Sequence, residues 1–312
     1  MLRPALRSAC LFALMLAFTS AAAAAPAPAQ RLGASERDSL TRVIEKDRAD
    51  TDEWLKSSPT SYLSTVFRVD YLEQRSLVVG GAADCDVRVA DSEMPAHALR
   101  ATVVGDSFRV EALDPATPVL AAGQPVLDAV VPPSTLRLGR WSVRLSHQRF
   151  PAIIIMDPKS PRFADYKPMR WFLADFAYRF LARLTPDAAP DTVIILSTRG
   201  NERRALRVGW FDLSVQGRRC RLEAHRLLEP GVDEKAISIF FRDATSGRES
   251  YDVGRYLDPE ALPDGRWVLD FNMAYNPACA YSDHYNCPIP SKANTLKLAI
   301  RAGEMHPHLL GH

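Results

Sequence analysis

The chain has 312 residues, 47% of them hydrophobic and 24% charged, with a formal net charge of +2. That length holds two domains with sizeable cores, and the composition excludes a disordered chain. Acids and bases are interspersed along it, which excludes a concentrated basic face and with it nucleic-acid binding.

Residues 1–25 have the three parts of a secretory leader: Arg3 and Arg7, an apolar stretch from Leu11 to Phe18, and the small-residue run Ala21 to Ala25. The apolar core is shorter than the roughly 20 residues needed to span a bilayer. Cleavage near Ala25 is therefore expected, with a periplasmic or secreted mature chain and no stable membrane span after removal. Cys10 precedes the apolar core, so it is not a lipidation site. The mature chain keeps Cys85, Cys220, Cys279 and Cys287. Cys279 and Cys287 flank a short loop rich in turn formers, and in an oxidising compartment a disulfide between them is expected. Cys85 and Cys220 are expected as buried thiols.

Residues 26–58 read as an Ala/Pro linker and an amphipathic helix. Ser35 is the expected N-cap, Leu40, Val43, Ile44, Trp54 and Leu55 share one face, and Pro59 stops it. From 59 to 148 short alternating runs follow at 62–71, 76–79, 86–89, 99–104, 108–113, 136–138 and 141–145, which predict a β-sandwich. Within it Leu77 to Gly81, Cys85-Asp86-Val87, His97-Ala98, Phe108 to Val110 and Leu136 to Gly139 resemble a forkhead-associated domain. The resemblance departs where that family holds phosphate: Gly80-Gly81 stands in place of a Gly-Arg pair, and Met94-Pro95-Ala96-His97 in place of a Ser-Arg-x-His turn. It implies a scaffold with a structural His97, and no phosphopeptide binding is expected.

Residues 149–312 form the second predicted domain. Pro151 to Pro168 reads as an irregular connection, because its prolines remove ladder donors. Strands are predicted at 171–184, 192–198, 204–213, 220–228, 236–241, 267–271 and 296–300, with hairpin turns at 198–201, 216–217 and 264–265. The overall expectation is a mainly β chain: an N-terminal helix, a forkhead-associated-like sandwich, then an antiparallel β-barrel or sandwich. No βαβ alternation, nucleotide-binding loop, metalloprotease or serine-elbow motif occurs.

The stretch Phe240 to Gly247, Tyr251, Gly254-Arg255-Tyr256 and Asp270 to Pro290 resembles domain of unknown function 1684, over about residues 170–304. That resemblance names no reaction. The residues themselves suggest one polar constellation: Asp243, Thr245, Tyr251, Arg255, Asp270, Asn272, Tyr275 and Asn276, followed by the cysteine loop, Asn294 and Arg301 to Glu304. Converging carboxylates, amides and an arginine suit a small polar ligand, with Asp243 and Asp270 as the candidate catalytic acids of a hydrolase-type alternative. The competing reading is structural, with turn-forming side chains satisfying backbone donors and Asp270 locking Arg255. No cofactor is expected. Cys279, His284 and Cys287 lack a fourth partner for a metal, so no metal is expected either.

Overall fold

The computed structural model describes residues 25–307. The leader, but for Ala25, and the tail histidines His308 and His312 lie outside the described residues. The helix runs Ala34–Ser57, two residues earlier than the Ser35 cap would place it. Gly33 is the cap, and its N–H donates to the Glu36 carboxylate at 2.8 Å, which satisfies an orphan donor of the first turn. Ile44 and Leu55 are buried, whereas Val43, expected on the same face, is exposed.

Alternation in the next segment does produce a sandwich. One sheet orders its six strands as Thr65–Asp70, Pro151–Met156, Trp141–His147, Thr135–Leu138, Val119–Ala121 and Gln124–Val126. The other has five, ordered Val87–Arg88, Ser76–Gly80, Leu99–Val104, Ser107–Ala112 and Asp128–Val131. Their inner faces meet through Leu77, Val79, Phe108, Leu138, Val143 and Ile153, all shut off from solvent. His97 Nε2 lies 2.9 Å from an Asp84 carboxylate oxygen, tying two loops at one end.

One expectation fails at Pro151. The stretch 151–156 is no connection but a central strand, paired on one side to Thr65–Asp70 and on the other to Trp141–His147. Proline is tolerated because it is the first residue of the strand, and its carbonyl still accepts from the Tyr71 N–H at 3.0 Å. The run Ala152 to Met156 that follows is buried throughout, as a strand covered on both faces must be.

In the second module the predicted turns at 198–201, 216–217 and 264–265 all join antiparallel strands. The longest pair, Glu202–Val215 and Arg218–Leu227, turns at Gln216 and Gly217, both with positive φ (50° and 76°), the geometry of a two-residue hairpin. This module is built from a five-stranded, a three-stranded and a two-stranded sheet. No closed barrel forms among the described residues. Over 171–184 only Arg179–Ala182 is a strand, and 296–300 forms none: a single bridge joins Thr295 to Arg242. The alternation of Leu296, Leu298 and Ile300 is real, since all three enter the core.

The expected linker is also part of this module. Ala27–Pro28 pairs in parallel with Leu213 and Ser214, and the Asp52 carboxylate accepts the Met169 N–H at 2.8 Å. The sandwich is thus inserted between two segments that pack together. A third apolar cluster joins it to the second module: Ile154 and Met156, on the sheet's outer face, meet Leu55, Leu63, Tyr251, Tyr256 and the cysteine loop. Ile154→Ala should therefore cost about 2–4 kcal/mol in urea unfolding, whereas Val130→Ala, at an exposed position, should stay within about 0.5 kcal/mol.

Candidate functional site

The polar residues picked from sequence separate into two closed networks and a cavity wall. Arg255, fully buried, donates to Asp243 Oδ2 at 2.6 Å and to the backbone carbonyls of Ile300 (2.8 Å), Glu304 (3.2 Å) and Ala302. Burial pushes its guanidinium down from the usual arginine range, and Asp243 pushes it back up. The other Asp243 oxygen accepts the Thr245 N–H (2.6 Å) and hydroxyl (2.5 Å). None of these three side chains is left for a ligand.

Asp270 is likewise spent. One oxygen accepts from Arg179 at 2.7 Å and the other from the Asn272 backbone and amide at 3.0 and 2.8 Å. The expected Asp270–Arg255 pair is replaced by Asp270–Arg179, because Arg255 points to Asp243. Asn272 exchanges bonds of 2.9 and 3.0 Å with the Asp175 backbone. Asp243 and Asp270 therefore act as anchors rather than as reacting acids. Tyr251 donates to the Cys279 carbonyl at 3.2 Å.

The expected Cys279–Cys287 disulfide is not formed: both are free thiols, buried, with the Cys279 N–H 3.3 Å from Cys287 Sγ. A bond from Cys287 holds the Cys279 thiol below its ordinary range, and Cys287 is pushed well above it. Beyond that contact, hydrogen bonds fix the Cys287 end of the loop to the hairpin at Thr198. Thr198 N–H donates to the Cys287 carbonyl at 3.0 Å, and Cys287 N–H to the Thr198 hydroxyl at 3.1 Å. Cys85 and Cys220 are also free and buried, as expected.

Tyr275 and Asn276, the remaining two, do line a cavity of about 250 Å³. It lies where the helix, the Met169–Trp171 segment and the turn carrying Met273 to Tyr281 converge, with Asp47, Thr51, Trp54 and Tyr62 closing it. Its rings interlock: Tyr62 meets Trp54 edge-on at 4.9 Å between centroids and stacks on Tyr281 at 5.5 Å. Glu304 brings a carboxylate to this aromatic chamber and is only 3% exposed. Its Oε2 accepts the Asn276 N–H at 2.7 Å and the Tyr281 hydroxyl at 2.8 Å. Burial outweighs those bonds and pushes Glu304 up to about 7, and the Asp47 carboxylate adds to the rise. Burial and Asp50 raise Asp47 too.

Glycine makes this placement possible. Gly303 has φ +78°, and a Cβ there would come within 2.4 Å of the Ala274 carbonyl oxygen. The close approach lets the Glu304 N–H donate to that same oxygen at 2.8 Å, while Arg255 holds the carbonyls on either side. Glu304 was visible in sequence only as the end of the Arg301 to Glu304 run. Nothing local marks it, because its carboxyl is set apart by burial. Asp47 and Trp54 carry no signal at all, since they reach the chamber only through helix docking.

Residues 164–305 match the model of a family described as "Protein of unknown function (DUF1684)". The solution NMR structure of the uncharacterized protein from gene locus rrnAC0354 of Haloarcula marismortui is similar at 35% identity. The match covers 50% of this chain and 85% of that one, with a TM-score of 0.39. No curated protein matches. The forkhead-associated resemblance over 62–147 lies outside the matched range, and so do the cavity residues Asp47, Thr51, Trp54 and Tyr62.

Two outcomes follow from these bonds. Asp270→Asn and Asn272→Ala should each lower stability by about 1–3 kcal/mol in urea unfolding, because each leaves buried partners unpaired. Glu304 binds its proton more tightly folded (about 7) than unfolded (4.5), so its contribution is complete below pH 4.5 and is lost as pH rises through 7. The loss amounts to about 3 kcal/mol. Urea unfolding at pH 5 and pH 8 should show that decline in the wild type, and Glu304→Gln should lack it.

Proposed function

We propose that this chain, which belongs to the DUF1684 family through residues 164–305, is an exported binding protein that takes a small amine-bearing ligand over Glu304. One observation carries the reading: the cavity is walled by aromatic rings and two carboxyls, and no Lys, Arg or His is among its lining residues. Ring faces attract a cation by about 0.5–2 kcal/mol each, more when desolvated. Trp171 is already engaged, with the Arg48 guanidinium 5.1 Å from its ring centre. That leaves Trp54, Tyr62, Tyr275 and Tyr281 for the ligand. An ammonium group would ion-pair with ionised Glu304 and displace its proton.

The volume, just below the usual range for drug-sized ligands, suits a compact molecule. A carboxyl near pH 7 would also suit a general acid, and this is the ground for the alternative, a hydrolase on a small polar substrate. Against it, the lining brings no Ser, Cys or His nucleophile to Glu304. Export rests on the leader, with cleavage near Ala25 leaving the paired strand Ala27–Pro28 close to the mature terminus. We read the sandwich as a forkhead-associated-like scaffold that does not bind phosphopeptides, since at Gly80 and Gly81 there is no side chain to hold a phosphate.

The test is calorimetric titration with primary amines and tetramethylammonium at pH 6 and pH 8, beside neutral and anionic analogues. A cationic compound should bind the wild type, and its affinity should rise roughly tenfold between the two pH values as Glu304 ionises. Glu304→Gln should abolish that binding while remaining folded. Binding of neutral compounds alone, or undiminished cation binding by the variant, would refute the proposal.

A further inference from the structure

We propose a second ligand site, adjoining the first, in the cleft between the two modules, where Arg144 of the sandwich and Asn286 of the cysteine loop would hold a small oxyanion. A chamber of about 270 Å³ lies there, lined by Arg144, Gln148, Arg203, Tyr285 and Asn286 among others. It adjoins a larger one of about 540 Å³, with Arg144, Gln148, Arg203 and Leu227 in both walls.

Asn286 supplies the sharpest observation. It is 3% exposed, and its Nδ2 is buried with no hydrogen-bond partner. The orientation of the amide is settled by its other end, where Oδ1 accepts the Arg199 N–H at 3.3 Å. Turning the amide over would leave that N–H facing a donor. A buried N–H donor with no acceptor costs about 1–3 kcal/mol, which a ligand oxygen would recover. Gln148 Oε1 is a second buried polar atom without a partner in the same chamber, and rotating its amide would present a donor.

Arg144 supplies the charge. On strand Trp141–His147, Val143 and Leu145 face the sandwich core, so Arg144 shares the opposite face with Ser142 and Ser146. Both serines are buried, and Arg144 opens into the cleft. It has no ion-pair partner among the described residues. Arg203 is different: it is 3% exposed, clamps Glu229 at 2.5 and 2.6 Å, and donates to the Asn286 carbonyl at 2.9 Å. Its charge is cancelled, and it serves to fix the backbone that carries the Asn286 amide.

No Asp or Glu lines the smaller chamber, so Arg144 is its uncompensated charge. Arg144 and Asn286 both line this chamber, and a guanidinium together with an unpaired amide N–H is the donor set that matches a carboxylate or phosphate group. Such a ligand would touch both modules and hold them together.

The experiment is thermal unfolding and titration of the full mature chain with inorganic phosphate and with acetate, each against sodium chloride of equal ionic strength. Stabilisation by either oxyanion beyond chloride supports the site and identifies its preferred head group. Arg144→Gln, at an exposed position, should leave the unliganded protein folded and weaken that binding at least about tenfold. Glu304→Gln should leave it unchanged, which separates this site from the amine cavity. Absence of any oxyanion effect on the wild type, or equal binding by Arg144→Gln, would overturn the proposal.

Discussion

A fully buried ion pair, Arg255 with Asp243, organises the second module. Taking both charges out of water costs several kcal/mol each, and direct attraction recovers that only if the remaining donors and lone pairs are also satisfied. Here they nearly are. Arg255 reaches three successive alternate carbonyls, at 300, 302 and 304, and Asp243 is closed by Thr245. Only Arg255 Nε is left without a partner. The rings of Phe172 and Phe241 lie 5.6 and 5.2 Å from the guanidinium and seal it. The segment so held forms no regular strand, and the arginine does for it what a neighbouring ladder would otherwise do. Its last residue is Glu304.

The same economy runs through the other polar residues. Asp175 and Asp270 cap short turns, and Asn272 stitches those turns together. Asn294 ties the Glu223 backbone to Phe240 with bonds of 2.7 and 2.9 Å on three of its contacts. Irregular backbone buried near a core needs such side chains, because it has no sheet partner to take its donors and acceptors. A dense run of Asp, Asn and Tyr is therefore the cost of burying loops here, and Glu304, which is bonded through Oε2 but has no arginine partner, is the exception.

Module docking then decides what that group meets. The outer face of the six-stranded sheet is covered by the cysteine loop, and the N-terminal helix closes over the turn carrying Tyr275. Two chambers result, both with Tyr62 and Tyr275 in their walls. One gathers carboxyls and the other an unpaired guanidinium. The carboxyls come from the helix (Asp47) and from the segment held by Arg255 (Glu304), whereas the guanidinium comes from the outer face of strand Trp141–His147.

The sequence by itself determined the mainly β character, because period-two alternation and two-residue turns such as Gln216-Gly217 are local properties of the chain. It also marked the segment from Phe240 to Glu304 as unusual. It did not reveal that Pro151 opens a central strand, since whether a proline forfeits a ladder bond depends on the neighbour it faces. It likewise could not sort the eight polar candidates. Asp243 and Asp270 look as reactive in sequence as Glu304, and what separates them is pairing: each has an arginine within 2.7 Å, whereas Glu304 has only a backbone N–H and a phenol. Burial and partner choice are set by residues far away in the chain, Asp47 and Trp54 among them. Only the tertiary structure could decide them, because desolvation and Coulomb energy depend on distance in space and not on spacing in sequence.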